Sequence, residues 1–482
     1  MMLSELLRGV DVAHVHGRVD LPIVAITQDS RRAGPGAVFV ALVGRRGDGH
    51  DHVAGLSQAA AVVVERDVEA PAGVTVVRVN DSRKALAELA AAFFGHPSND
   101  LKVVGVTGTN GKTTTTQLLE AIAAANGVRA AVIGTVGNRV AGENLPATHT
   151  TPEPTEWQGL LRRAVDARCA WAAAEVSSIG LDARRVDATR FAVGVYTNLT
   201  QDHLDYHGDM AAYAQAKARL FLELLPPGAT ALLNAEDPAV MALPTLPEGV
   251  RRVTFGVDHG DVHTHNLRLT VAGSEATVVT PWGDFALRLP LLGRHNVANA
   301  LGAAGAALAL GLSPAQVAEG LAQAPPVPGR LEPVANNRGV TALVDYAHTE
   351  DGLRTVLSAL RELGAQRIVL VFGCGGDRDP QKRPLMARAA SEGADVVIAT
   401  SDNPRGEDPL AILNDMAPGL TPDALIVPDR AEAIRRAVAL SKPGDVVLIA
   451  GKGHETTQEI AGVKHPFDDR RALRAAFLAE GA

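Results

Sequence analysis

Lys112 and Thr113 lie within the stretch "GVTGTNGKTTTT", residues 105–116, so an ammonium and a hydroxyl directly follow a glycine-rich turn. Such a turn, set between a strand and a helix, aims backbone N–H groups and a positive helix end at an anion. The lysine suits the outer phosphates of a nucleotide, and the threonine hydroxyl suits magnesium. Gly108, Thr109, Asn110, Gly111 and Thr114 complete the cradle. A generic phosphate loop has a glycine five positions before Gly111, and that position is Val106. A plain tight turn would not require Gly-Lys-Thr at the helix start, so nucleotide binding is the stronger reading.

Other groups could serve the same phosphate. "AAEVSSIGL" carries Glu175, and "YTNLTQDHLDYHGD" carries Asp202, His203, Asp205 and His207; both segments read as strand ends opening into loops. Lys217 lies in "AAYAQAKARLFLELL", where Tyr213, Leu220, Phe221 and Leu224 share its helical stripe. From spacing alone, a lysine snorkelling to the edge of that stripe is the simpler reading. A desolvated lysine, however, has a depressed pKa, and its neutral amine reacts with carbon dioxide to give a carbamate. Asn296 and Asn299 stand where an Ala-rich helix begins, a position that favours caps. "IATSDNPRGEDP" places Asp402, Asn403, Pro404 and Arg405 just beyond an apolar strand, where open α/β sheets bind ligands. Arg405 suits a carboxylate, and Asp402 with Asn403 suits an ammonium, although a proline turn with a surface arginine has the same spelling.

These groups need a framework that brings them together. Short β-like runs alternate with Ala/Leu-rich helical stretches, the pattern of α/β domains with largely parallel sheets. Breaks at "GHPSND" and "APPVPGRLEPVANNRG" suggest three domains, 1–98, 99–330 and 331–482. A formal charge of -8 disfavours a nucleic-acid partner. The two cysteines, Cys169 and Cys374, provide no disulfide framework, and the apolar runs are too short for a membrane span. A cytoplasmic location, no membrane insertion and a monomer are the expectations.

The loop "GTNGKTT" resembles that of the Mur ligase family, and the resemblance extends along the chain. "DSR", "HTTPEP", "EVSS", "TNLTQDHLDYHG", "HNVANA", "PGRLE", "DYAHT", "GCGGDRD", "DNPR" and "GKGHE" occur in family order. It implies an N-terminal α/β UDP-binding domain, a central P-loop ATPase-like domain and a C-terminal Rossmann-like domain. The implied activity is an ADP-forming acid–amino-acid ligation with ATP and Mg2+, which adds meso-2,6-diaminopimelate to UDP-N-acetylmuramoyl-L-alanyl-D-glutamate through an acyl phosphate in peptidoglycan synthesis.

By the same resemblance, Lys112, Lys217, His203 and Arg330 are the catalytic positions. Thr113, Glu175, His203 and a carbamylated Lys217 would hold magnesium, while Asn296 and Asp345 would face the adenine and ribose. Gln28, Ser30, Arg45, Arg46, Gly47, His149, Thr150, Thr151, Ser177 and Arg185 match contacts to the nucleotide-sugar peptide. Arg378, Asp402, Asn403, Pro404, Arg405, Gly451 and Glu455 match contacts to diaminopimelate. Where the family has histidine and glutamine, this chain has Ile179 and Ala183, and neither is assigned a role. Competing readings are the same ligase adding L-lysine, a folylpolyglutamate synthase-like ligase, and a nucleotide-binding scaffold without catalysis. Intact Lys112, Thr113, Glu175, His203 and Lys217 argue against the last.

Overall fold

The computed structural model describes residues 1–44, 47–270 and 273–480, arranged as three α/β domains joined in chain order. The N-terminal domain is built on five strands in the order Val12–His16, Thr75–Val79, Ala61–Val64, Ala37–Val40, Ala25–Thr27. All its pairings are parallel except that of Val12–His16. Helix Ser82–Phe93 covers one face and starts where the Asp81 carboxylate accepts the Lys84 N–H. A short 3-10 turn, Pro97–Asn99, then leads into the central domain.

Eight strands form the central sheet, in the order Arg251–Phe255, Thr230–Asn234, Phe191–Tyr196, Lys102–Thr107, Trp171–Glu175, Ala130–Ile133, Asn138–Val140, Glu143–Leu145. The first six run parallel. Their Val, Ala and Phe runs read as continuous apolar stretches because helices cover both faces. On one face Val104 and Val106 pack with Leu118, Leu119 and Ile122 of helix Lys112–Ala125 and with the alanines of helix Arg294–Ala309. On the other, Val103, Ala172 and Phe191 pack with Trp157, Tyr213, Leu220 and Phe221.

A three-stranded antiparallel sheet, His263–Thr270, Gly273–Val279 and Phe285–Leu289, interrupts the α/β alternation. The sequence reading of near-continuous alternation missed it because its strands pack only one face against the core and carry little apolar signal. The C-terminal domain has six strands, in the order Glu332–Pro333, Thr341–Asp345, Val446–Ala450, Ile368–Cys374, Val396–Ser401, Leu425–Ile426. Only the first pair is antiparallel. Asp345 stands opposite Ala450, and Cys374 opposite Ser401. The carboxyl ends of the four longer strands therefore form one edge. Among the described residues, no helix is long and apolar enough to cross a membrane.

Candidate functional site

Strand Lys102–Thr107 runs into a loop whose two glycines have positive φ, 143° at Gly108 and 88° at Gly111. A Cβ at Gly108 would collide with Thr197 Oγ1, and one at Gly111 with Asn299 Oδ1, so neighbouring segments press directly on the backbone. The chain beyond strand Phe191–Tyr196 clamps this loop: Asn198 Oδ1 accepts the Asn110 N–H at 2.8 Å, and the Asn198 carbonyl accepts the Thr109 N–H at 3.0 Å. Lys112 Nζ donates back to the carbonyls of Gly108 and Thr109 at 2.8 and 2.9 Å. Burial pushes its pKa down, against the pull of Glu175 and Asp202.

Parallel register sets Glu175 opposite Val106, level with the start of the loop. Its buried carboxylate accepts the Thr113 hydroxyl at 3.0 Å, the Thr135 N–H at 2.8 Å and the Thr135 hydroxyl at 3.0 Å. Thr135 Oγ1 also lies 3.0 Å from Thr150 Oγ1. His203 sits at φ 55°, with Nε2 3.4 Å from Asp202 Oδ2. Desolvation lowers the His203 pKa to about 4, opposed by Asp202 and aided by Lys112 and Lys217. Desolvation opposes ionisation of Asp202, but His203, His348 and Lys382 outweigh it and hold that carboxyl at about 2. The imidazole is therefore neutral at physiological pH and free to act as a ligand.

Helix Met210–Leu222 buries Lys217 to 1% exposure; Leu224 falls beyond its end. Lys217 Nζ donates to the Gly108 carbonyl at 2.9 Å and lies 4.5 Å from the centre of the Tyr213 ring. Desolvation, reinforced by Lys112, drives its pKa far below the ordinary lysine value. The snorkelling alternative is thus replaced by a fully enclosed amine. Thr113 and Glu175 together offer the hard oxygen donors that suit magnesium, which takes few protein ligands and completes its shell from phosphate and water.

The loop separates two cavities. One, about 290 Å³, is lined by Thr109 to Thr113, Thr150, Glu175, Ser177, His203 and Lys217 from the central domain. Arg378, Asp402, Asn403, Arg405, Gly451 and Glu455 line it from the C-terminal domain. The other, about 530 Å³, is lined by Thr114, Asn296, Asn299 and Asp345, among others. Asn110, Gly111 and Arg330 border both. The Arg330 guanidinium stacks over Tyr346 at 4.9 Å.

One expectation changes here. Asn296 and Asn299 do not cap the helix, which starts at Arg294 after Gly293. They lie inside its first turns, where Asn296 Nδ2 donates to the Leu292 carbonyl at 2.8 Å and Asn299 Nδ2 to Asn296 Oδ1 at 3.2 Å. Asp345 borders the larger cavity, yet both its oxygens accept backbone N–H groups, from Leu331 and Ala347, each at 2.7 Å. These two bonds hold the linker beside Arg330.

In the C-terminal domain, Asn403 Nδ2 donates to Glu455 Oε2 at 2.8 Å, and Arg405 Nη1 to the Gly376 carbonyl at 2.6 Å. Arg378 is exposed, and a Cβ on Gly451 would crowd Asp402 Oδ2. Burial raises the Asp402 pKa, opposed by Arg430 and Lys452. Pro404 is buried behind the cavity wall. Thr151 and Arg185 brace the rim: Thr151 Oγ1 donates to the Glu175 carbonyl at 2.9 Å and lies 3.0 Å from Ser177 Oγ, and Arg185 donates to the Thr151 carbonyl at 3.0 Å. His149 is exposed, with Nδ1 3.1 Å from Thr148 Oγ1. Gln28, Ser30 and Gly47 line neither cavity, and Arg45 and Arg46 lie outside the described residues.

Sequence reasoning missed several participants. Thr135, in "IGTVGN", carries no chemical signal in its type or spacing. Asp351 accepts the Asn110 amide at 3.0 Å and the Thr200 hydroxyl at 3.1 Å, and so joins the C-terminal domain to the phosphate loop. Lys452 is wholly buried beside Glu455; its presence in "GKGHE" was the available clue.

Fold and site together define a three-domain P-loop protein in which a glycine-rich loop faces polar and charged side chains of the C-terminal domain across a cleft. Family models match along the chain: "Mur ligase family, catalytic domain" over residues 22–94, "Mur ligase middle domain" over 106–307 and "Mur ligase, glutamate ligase domain" over 329–453. The chain is 44% identical to a UDP-N-acetylmuramoyl-L-alanyl-D-glutamate--2,6-diaminopimelate ligase from Geobacter metallireducens, over 99% of this chain and 98% of that protein. It is also 44% identical to the protein of the same name from Geobacillus kaustophilus, over 100% of both. A solved structure with that name aligns at a TM-score of 0.71 and 33% identity, covering 100% of this chain and 99% of the other. The chain belongs to the Mur ligase family.

Proposed function

We propose that this protein is the ADP-forming ligase that joins meso-2,6-diaminopimelate to UDP-N-acetylmuramoyl-L-alanyl-D-glutamate. One observation carries the reading: a single cavity is lined by Lys112, His203 and Lys217 on one side and by Asp402, Asn403, Arg405 and Glu455 on the other. That juxtaposition serves a reaction in which an activated carboxylate must meet an amine. Full-length relatives bearing that name support it.

In this reading, ATP occupies the larger cavity and its phosphates cross the loop into the smaller one. Lys112 leaves the Gly108 and Thr109 carbonyls to follow the γ-phosphate, and Arg330 covers it from the linker. A carboxylate oxygen of the peptide attacks the γ-phosphorus, ADP leaves, and the diaminopimelate amine then attacks the acyl phosphate and expels phosphate. Thr113, Glu175, His203 and a carbamylated Lys217 would hold magnesium, which would supply charge neutralisation for the phosphates. Enclosure between domains protects the acyl phosphate from water. Gln28, Ser30, Arg45, Arg46, Gly47, His149, Thr150, Thr151, Ser177 and Arg185 are assigned to the nucleotide-sugar peptide. Domain boundaries at 98/99 and 330/331 and a cytoplasmic location complete the proposal.

The test is phosphate release from ATP, magnesium and the UDP-muramoyl dipeptide, with and without amino acid. Release that depends on diaminopimelate supports the reading. Equal release with L-lysine overturns its specificity, and release with folate in place of the dipeptide overturns its class.

A further inference from the structure

Lys452 has no place in the chemistry described so far, yet it is among the largest fully buried side chains, with 0% exposure. It follows strand Val446–Ala450, whose end faces the cleft. Lys452 Nζ donates to Asn403 Oδ1 and to Glu455 Oε2, each at 2.9 Å. Asn403 Nδ2 closes the triangle by donating to the same Glu455 oxygen at 2.8 Å. The Glu459 N–H also reaches Asn403 Oδ1, at 3.0 Å.

This network has a directional consequence. Lys452 and the Glu459 N–H are both donors, so they force the carbonyl end of the Asn403 amide toward themselves and its NH2 end toward Glu455. Glu455 receives two donors on Oε2, which leaves Oε1 outside the triangle. Both Asn403 and Glu455 line the cleft cavity, whereas Lys452 does not. The lysine thus acts from behind the wall on two side chains that face the substrate.

We propose that Lys452 is the positioning residue of the amino-acid subsite: it fixes the Asn403 amide and keeps Glu455 an ionised acceptor for an ammonium group of the incoming amino acid. This inference rests on the ligase reading above. A buried carboxylate would otherwise tend to protonate, and a protonated Glu455 would offer an ammonium no countercharge. Burial indeed works to raise the Glu455 pKa, but Lys452 and Asn403 outweigh it and the result lies below the ordinary value. The other ionisable groups facing Glu455 are His454 beside it, Tyr346 after strand Thr341–Asp345, Asp402 after strand Val396–Ser401, and Arg430 on helix Arg430–Leu440. Asp402 is a second carboxylate in the same wall, so the lysine also offsets repulsion between the two.

The experiment is steady-state ligation by wild type and by Lys452→Met, with diaminopimelate varied from about pH 4 to about pH 9 and the other substrates saturating. Loss of a charge-assisted contact predicts a KM for diaminopimelate raised roughly 10- to 100-fold. The kcat at saturating diaminopimelate and the KM for ATP should stay within about threefold. The acid limb of kcat/KM should also move to higher pH, which a purely structural role would not produce. Lys452→Gln keeps a donor to Asn403 without the charge; it should restore part of the KM loss while leaving the limb displaced. If Lys452→Met does not fold, Lys452→Gln alone decides through that limb. An unchanged KM, an unmoved limb, or an equal rise in KM for ATP overturns the proposal. A wild type that ignores diaminopimelate instead overturns the ligase reading itself.

Discussion

Replacing Lys217 with Met separates two consequences of its burial. The substitution leaves the Gly108 carbonyl satisfied, because Lys112 Nζ still donates to it at 2.8 Å, and methionine fills nearly the same space beside Tyr213. What disappears is a titration. The folded chain depresses the lysine pKa far below its ordinary value, whereas the unfolded chain keeps it near ~10.4. Between those two values the unfolded chain holds a proton that the folded chain has released, so wild-type stability rises with pH. The contribution is complete above the unfolded value and is lost as pH falls through the window toward the folded one. The slope approaches about 1.4 kcal/mol per pH unit. Above neutrality, wild type should therefore gain stability relative to Lys217→Met as pH rises toward the unfolded value.

Urea denaturation of both proteins in carbon-dioxide-depleted buffer measures this difference directly, since other titrating groups cancel. Parallel pH dependence would mean that the ammonium stays charged inside the fold, and the reasoning would fail. The neutral amine is also what reacts with carbon dioxide: nitrogen bonds to carbon, one proton leaves, and an anion forms beside the phosphate loop. Wild type in 13C-bicarbonate should accordingly show a carbamate carbon resonance that Lys217→Met lacks. Ligation by the variant should fall about 10²- to 10³-fold in kcat, the scale seen when one preorganised charge stabiliser is lost. A variant with wild-type kcat refutes the carbamate role.

Further expectations follow from single contacts. Gly111→Ala forces a Cβ onto Asn299 Oδ1 at φ 88°, so ADP affinity measured by calorimetry should drop and stability should fall by about 1–3 kcal/mol. Asp469→Asn leaves the wholly buried Arg430 guanidinium uncompensated; chemical denaturation should register a loss of about 3–5 kcal/mol, whereas the double change Arg430→Met with Asp469→Leu should recover much of it. Asp351→Ala removes the acceptor shared by Asn110 and Thr200, and the KM for ATP should rise about fivefold or more with little effect on thermal stability of the isolated cores.

Legibility in the sequence followed locality. The phosphate loop was readable because strand, glycine turn and lysine lie within a dozen residues, and each glycine answers to a backbone geometry. Lys217 was readable as part of an apolar helical stripe, but spacing alone favoured an amine snorkelling to its edge, because the carbonyl it meets at Gly108 is more than a hundred residues away. Asn296 and Asn299 misled, since asparagine near a helix start ordinarily caps; here they turn inward to the loop and the larger cavity. Thr135 and Asp351 were invisible because their partners come from other strands or another domain, and neither residue type stands out alone. The N-terminal strands were recognisable by composition, yet nothing in them fixes how Gln28 or Ser30 meets a ligand.

The linker explains why nucleotide and amino acid should be sensed together. Gly329 lies against the backbone of Gly453 and His454, so close that a Cβ would collide with the His454 nitrogen. Arg330 follows at once, stacked on Tyr346 and bordering both cavities. The segment that presses on Gly329 is the same one that presents Gly451 and Glu455 to the cleft, with Lys452 buried behind them. At the opposite side of the loop, Asp351 ties the C-terminal domain to Asn110. A shift of that domain would therefore move the Arg330 anchor, the Asn110 contact and the residues proposed to hold the amino acid together. Such an arrangement lets the phosphate cradle and the amine subsite reach working geometry in the same movement, rather than in independent steps.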